Sequence, residues 1–172
     1  AIVGRPNVGK SSLLNQLLGH DRAIVSAIPG TTRDTIEETA NIRGLPVMLI
    51  DTAGLRDAGD ALEAEGMRRS RQALAQAELI LHVLDTSEPL TPADEEFLAE
   101  FSGRPRLLVA NKADLARRLV LPAPLQDAAL PVSCATGDGL EPLKSAIKEA
   151  IWSGDIRAEM LQVTINARHQ DA

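Results

Sequence analysis

Eight residues near the start of the chain, Gly4-Arg5-Pro6-Asn7-Val8-Gly9-Lys10-Ser11, constrain it more than any other feature. They follow an apolar stub, Ala1 to Val3, and precede Leu13, Leu14, Leu17 and Leu18, which share one face at helical spacing before Gly19. A strand that breaks into G-x-x-x-x-G-K-S and then into a helix makes a loop whose glycines let backbone N–H groups turn inward. Those donors, with the positive end of the helix dipole, form a cradle for phosphate oxygens. Lys10 stands where it neutralises β/γ-phosphate charge, and the Ser11 hydroxyl suits Mg2+.

The remaining chain is consistent with one domain built around that loop. Its 172 residues are 44% hydrophobic and 24% charged, which excludes a disordered or collagen-like chain. Aromatic residues are only 2%, namely Phe97, Phe101 and Trp152. The core must therefore be aliphatic, and a platform for stacking single-stranded bases is excluded. A net charge of −6 argues against an unaided grip on a nucleic-acid backbone. A single cysteine, Cys134, excludes an internal disulfide or a cysteine-rich zinc site. No apolar run approaches the roughly 20 residues needed to span a bilayer, so a cytoplasmic location is expected, with no membrane partner.

Helix and strand signals alternate. Strands are read at Ala1 to Val3, Val47 to Ile50, Leu79 to Leu84, Leu107 to Ala110 and Leu130 to Val132. Residues 20–36 read as a loop. Thr91-Pro92-Ala93-Asp94 starts a helix with Phe97, Leu98 and Phe101 buried, and Leu140, Leu143, Ile147 and Ile151 make a last amphipathic one. His82 reads as a core histidine with its bonds satisfied, and Trp152 as core. The pattern predicts an α/β fold, a mainly parallel sheet with helices on both faces.

Three further motifs fall after strands. Asp51-Thr52-Ala53-Gly54 places a carboxylate for water-mediated contact with Mg2+ and a Gly54 N–H for a γ-phosphate oxygen. Asp85, also at a strand end, reads as a structural turn former. Asn111-Lys112-Ala113-Asp114 selects the base: one carboxylate accepts from both N1–H and the 2-amino group of guanine, whereas adenine leaves Asp114 unpaired. Ser133-Cys134-Ala135 would close the pocket with backbone N–H groups towards guanine O6, with Cys134 a small buried residue. In the loop Gly30-Thr31-Thr32-Arg33-Asp34 a threonine can reach Mg2+ and sense the γ-phosphate. The glutamine that often follows D-x-x-G to orient the attacking water is replaced by Leu55, which cannot polarise water. The acids Asp57, Asp60, Glu63 and Glu65 follow, and spacing alone does not choose among them.

The run from Gly4 through Ser12-Leu13-Leu14-Asn15 resembles bacterial GTPases related to Era and Der. Arg22-Ala23-Ile24-Val25-Ser26, Pro29-Gly30-Thr31-Thr32-Arg33-Asp34 and Asp51-Thr52-Ala53-Gly54-Leu55-Arg56 are most similar to the tRNA-modification GTPases, the MnmE (TrmE) family. This resemblance implies a six-stranded Ras-like P-loop G domain over residues 1–154, its first strand truncated. It implies a tail, 155–172, leading towards a helical domain. It also implies nucleotide contacts from Asn7, Val8, Gly9, Lys10, Ser11, Ser12, Ser26, Thr31, Thr32, Asp51, Gly54, Asn111, Lys112, Asp114, Ser133, Cys134 and Ala135. Mg2+ would be held by Ser11 and Thr32, and K+ by Asn7, Ser26, Ile28 and Thr31. Glu63 would be the catalytic residue, positioning the attacking water. Expected partners are GTP or GDP, a second copy through the switch loops in the GTP state, and the flavin-dependent protein MnmG (GidA). Any tRNA would be held by other domains. The alternatives are a ribosome-assembly GTPase of the Era or Der type, or a nucleotide-gated dimerisation module with negligible turnover.

Overall fold

The computed structural model describes residues 1–19, 36–52, 68 and 71–153. Six strands, β1 (Ile2–Val3), β2 (Ile36–Ile42), β3 (Leu45–Asp51), β4 (Ile80–Asp85), β5 (Arg106–Asn111) and β6 (Leu130–Pro131), form one sheet in the order β2-β3-β1-β4-β5-β6. All pairings are parallel except β2 with β3. Helices α1 (Lys10–Leu18), α2 (Pro92–Glu100), α3 (Ala123–Ala128) and α4 (Leu140–Ser153) are joined by a helical stretch at 71–76.

Alternation along the strands divides the core between the two faces of the sheet. Leu81 and Val83 of β4 pack with Leu13, Leu14, Leu17 and Leu18 of α1 and with Leu143 and Ile147 of α4. On the other face Leu84 joins Leu98 of α2 and Leu108 of β5, while Ile80 meets Leu74 and Phe101. Burying each aliphatic side chain contributes about 1.5–3 kcal/mol, so both layers are needed to hold an aromatic-poor sheet together.

The α/β expectation holds, with differences in detail. The residue-by-residue reading has no strand at 36–42, yet β2 pairs along its whole length with β3, from Ile36 opposite Asp51 to Ile42 opposite Leu45. Arg43 and Gly44 make the two-residue turn, with φ of 50° and 87°, as a hairpin twist requires. Residue 36 thus belongs to a strand, while 20–35 of the expected loop lie outside the described residues. The short α3 is likewise unforeseen. Trp152 is not core: it is half exposed, one residue around the helix from Ile151 on the packed face. His82 is fully buried as expected, but among the described residues neither ring nitrogen has a hydrogen-bond partner.

β1 is short for a central strand. Below it, between β3, the start of β4 and α4, lies a cleft of about 280 Å3 lined by Val47, Leu49, Leu79, Leu81, Ile147 and Ile151 among others. Among the described residues no helix is long and apolar enough to cross a membrane.

Candidate functional site

The carboxyl ends of β1, β3, β4, β5 and β6 open on the same edge of the sheet. There the chain leaves β1 for α1 on one side while β4 lies on the other, the switch point where open α/β sheets place ligands. Gly4 to Gly9 run from β1 into α1, which has no side-chain cap at its N-terminus, so its first N–H groups face the loop. Gly9 has φ 102°, and a Cβ there would collide with the side-chain nitrogen of Asn111. Only glycine lets β5's end come this close to the loop. Val8 is buried at the loop's base, and Ser12 is exposed on the first turn of α1.

Lys10 is buried, and its ammonium donates to the carbonyls of Gly4 and Arg5, both at 2.8 Å. The Ser11 hydroxyl donates to Asp51 Oδ2 at 3.1 Å, bringing the end of β3 to the first turn of α1. These two hard oxygen donors beside a phosphate cradle suit Mg2+.

Asn111 joins the halves of the site. Its amide nitrogen donates to the Val8 carbonyl at 2.9 Å, and its oxygen accepts from the Cys134 N–H at 3.2 Å. It is fixed in the ladder opposite Asp85 and is 2% exposed, so the link is rigid. Asp114 is exposed, with Oδ1 held by the Ser133 hydroxyl at 2.7 Å. A carboxylate pinned at one oxygen and open to solvent can receive two parallel N–H donors of a base. Cys134 is half-buried rather than fully buried; burial pushes its thiol pKa up, with the Asn111 contact opposing. Its carbonyl accepts from Gln16 on α1 at 2.8 Å, and Ala135 beyond it is exposed.

Of the expected site, the structure therefore gathers Asn7, Val8, Gly9, Lys10, Ser11, Ser12, Asp51, Asn111, Lys112, Asp114, Ser133, Cys134 and Ala135 at one edge of the sheet. Ser26, Ile28, Thr31, Thr32, Gly54 and Glu63 lie outside the described residues.

Sequence reading missed two supports of this edge. Arg5 donates through Nε to Asp94 at 3.1 Å and through Nη2 to Glu88 at 2.6 Å, tying the phosphate loop to the start of α2. Asp85 forms the expected turn, its Oδ1 accepting from the Ser87 N–H at 2.9 Å, but its Oδ2 also accepts from Lys112 Nζ at 2.7 Å. No local signal could have found it, since Asp85 meets Lys112 only because their strands pair with Asp85 opposite Asn111.

Comparison with known proteins agrees with this geometry. The chain is 45% identical over its whole length to the tRNA modification GTPase MnmE of Thermoanaerobacter sp. (strain X514), spanning 38% of that protein. It is 47% identical over 98% of its length to that of Listeria innocua, again spanning 38%. The chain thus covers well under half of these curated relatives. Among solved structures, Era of Aquifex aeolicus bound to GDP and aluminium fluoride matches with TM-score 0.65 and 33% identity, over 90% of this chain and 56% of that one. The G domain of the T. maritima FeoB iron transporter matches with TM-score 0.61 and 27% identity, over 87% and 95%. The resemblance to the tRNA-modification GTPases is borne out by these relatives. The model of the family described as 50S ribosome-binding GTPase matches residues 1–112, so the chain belongs to that GTPase family.

Proposed function

We propose that this chain hydrolyses GTP as the G domain of a longer tRNA-modification GTPase, its residues 1–154 forming that domain and 155–172 leading out of it. The observation that carries the reading is Asn111, whose one side chain joins the phosphate loop at Val8 to the base loop at Cys134. A phosphate cradle and a carboxylate suited to guanine are thereby held at a fixed separation. The curated relatives named MnmE support the tRNA role, and the Era-type ribosome-assembly alternative finds its support at lower identity.

Mg2+ would be held by Ser11 and Thr32, with Asp51 acting through water, and would neutralise charge on the β- and γ-phosphates. The acceptor role of Asp51 towards Ser11 supports this placing. K+ would be held by Asn7, Ser26, Ile28 and Thr31, supplying the positive charge that other GTPases take from an arginine. Glu63 would position the water that attacks the γ-phosphorus in line, since Leu55 cannot. The domain would pair with a second copy through its switch loops in the GTP state and act with MnmG in the cytoplasm, tRNA being held elsewhere in the protein.

The test is GTP turnover in K+ against Na+, with Glu63→Ala alongside and sedimentation in GDP with aluminium fluoride and K+. Faster turnover in K+, a large loss in Glu63→Ala and a dimer are expected. Equal rates in both salts would sink the cation site, an undiminished Glu63→Ala rate its catalytic role, and a strict monomer the pairing.

A further inference from the structure

We infer that Asp85 is a positioning residue for the nucleotide site, acting through Lys112 on the phosphate loop at Asn7. The side chain of Asp85 is 3% exposed and fully bonded. Oδ2 accepts from Lys112 Nζ at 2.7 Å, and Oδ1 accepts from the Ser87 N–H at 2.9 Å and the Ser87 hydroxyl at 2.5 Å. Burial alone would raise its pKa, but the Lys112 and Ser87 contacts outweigh it and hold the group below its ordinary value. The carboxylate is therefore an anion at neutral pH, facing Lys112.

The same ammonium donates to the Asn7 carbonyl at 3.0 Å. Lys112 and Asn7 both have left-handed backbones, with φ of 63° and 67°. A non-glycine residue held there is strained, so the surrounding contacts must over-determine its backbone. The neighbouring Thr86 hydroxyl fixes the Lys112 backbone, its one proton shared between the carbonyls of Asn111 and Lys112 at 2.9 and 3.0 Å. Asp85 holds the far end of the same side chain, fixing the direction in which the Lys112 ammonium points. Asn7 carries the side chain assigned above to K+, so Asp85 governs both the base loop and the posture of that ligand. The second consequence rests on the K+ reading; the first does not.

The experiment is a double-mutant cycle in this chain, Asp85→Asn and Lys112→Met singly and together. It is read by GDP affinity, with fold checked by circular dichroism and turnover followed against K+ concentration. If Asp85 acts through Lys112, Asp85→Asn weakens GDP binding about tenfold, as loss of a charge-assisted hydrogen bond does. The double variant then binds as Lys112→Met alone, and Asp85→Asn needs more K+ for half-stimulation. Native GDP affinity in folded Asp85→Asn, or losses that simply add, would overturn the proposal, because independent effects are additive. Should Asp85→Asn not fold, the same cycle with Asp85→Ser, which fits the buried place without an anion for Lys112, decides by the same criterion. A native chain indifferent to K+ would refute the cation reading alone, leaving the affinity cycle to judge Asp85.

Discussion

Single residues at this site are constrained by what reaches them from distant strands. Gly9 illustrates it: the motif requires a glycine for the loop's turn, but the tighter constraint is the amide of Asn111 across the site. Gly9→Ala must strain a φ of 102° and push Asn111 off Val8 and Cys134. We expect about 2 kcal/mol lost in urea denaturation and GDP affinity reduced at least a hundredfold. A variant that binds GDP normally would show that the loop relaxes without Asn111. The phosphate-loop glycines, Lys10, Ser11, Asp51, Asn111 and Asp114 were all legible as motif positions, because phosphate and guanine dictate residue types at fixed local spacings. Asp85 was not, since its partner Lys112 is 27 residues away and joins it only through the ladder.

At the scale of elements, the helices with local signals and the strands with apolar runs were readable, and polar β2 and the short α3 were not. The start of α2 was written in Thr91-Pro92-Ala93-Asp94, and the structure forms the full capping box, each side chain bonding the other residue's N–H. The box does more than start a helix, because Asp94 Oδ2 also accepts from Arg5. Thr91→Ala should cost about 1 kcal/mol and lower the melting temperature by about 2–4 °C. An unchanged melting curve would remove the cap from the account of α2. By contrast β2 carries polar residues at Glu38, Thr39 and Asn41 and gives no apolar run. Its existence depends on the Arg43-Gly44 turn, on β3 beside it, and on Ala40 and Ile42 burying against the α1 layer.

For the whole molecule, the two-layer core fixes a pH dependence. His82 faces the α2 side of the sheet, against Phe97, with no partner for either nitrogen among the described residues. Burial, then the nearby Arg106 cation, against the pull of Asp94, lowers its pKa from 6.5 to about 4. The unfolded chain then binds more protons between those values. Stability from this group is thus fully present above pH 6.5 and lost as pH falls towards 4, up to about 3 kcal/mol. Urea midpoints measured from pH 7 to 4.5 should fall, and His82→Leu should flatten the slope; an equal slope in that variant would assign it to other groups. The sequence by itself determined the parallel α/β class and the motifs of the phosphate loop and the base loop, because each follows from local spacing or from the donors and acceptors of one side chain. Only the tertiary structure decided that His82 is buried with no partner among the described residues, that Trp152 faces outward and that Asp85 reaches the phosphate loop through Lys112. Those outcomes depend on which strands lie side by side and how far the layers cover them, and a chain carries that information only once it has folded.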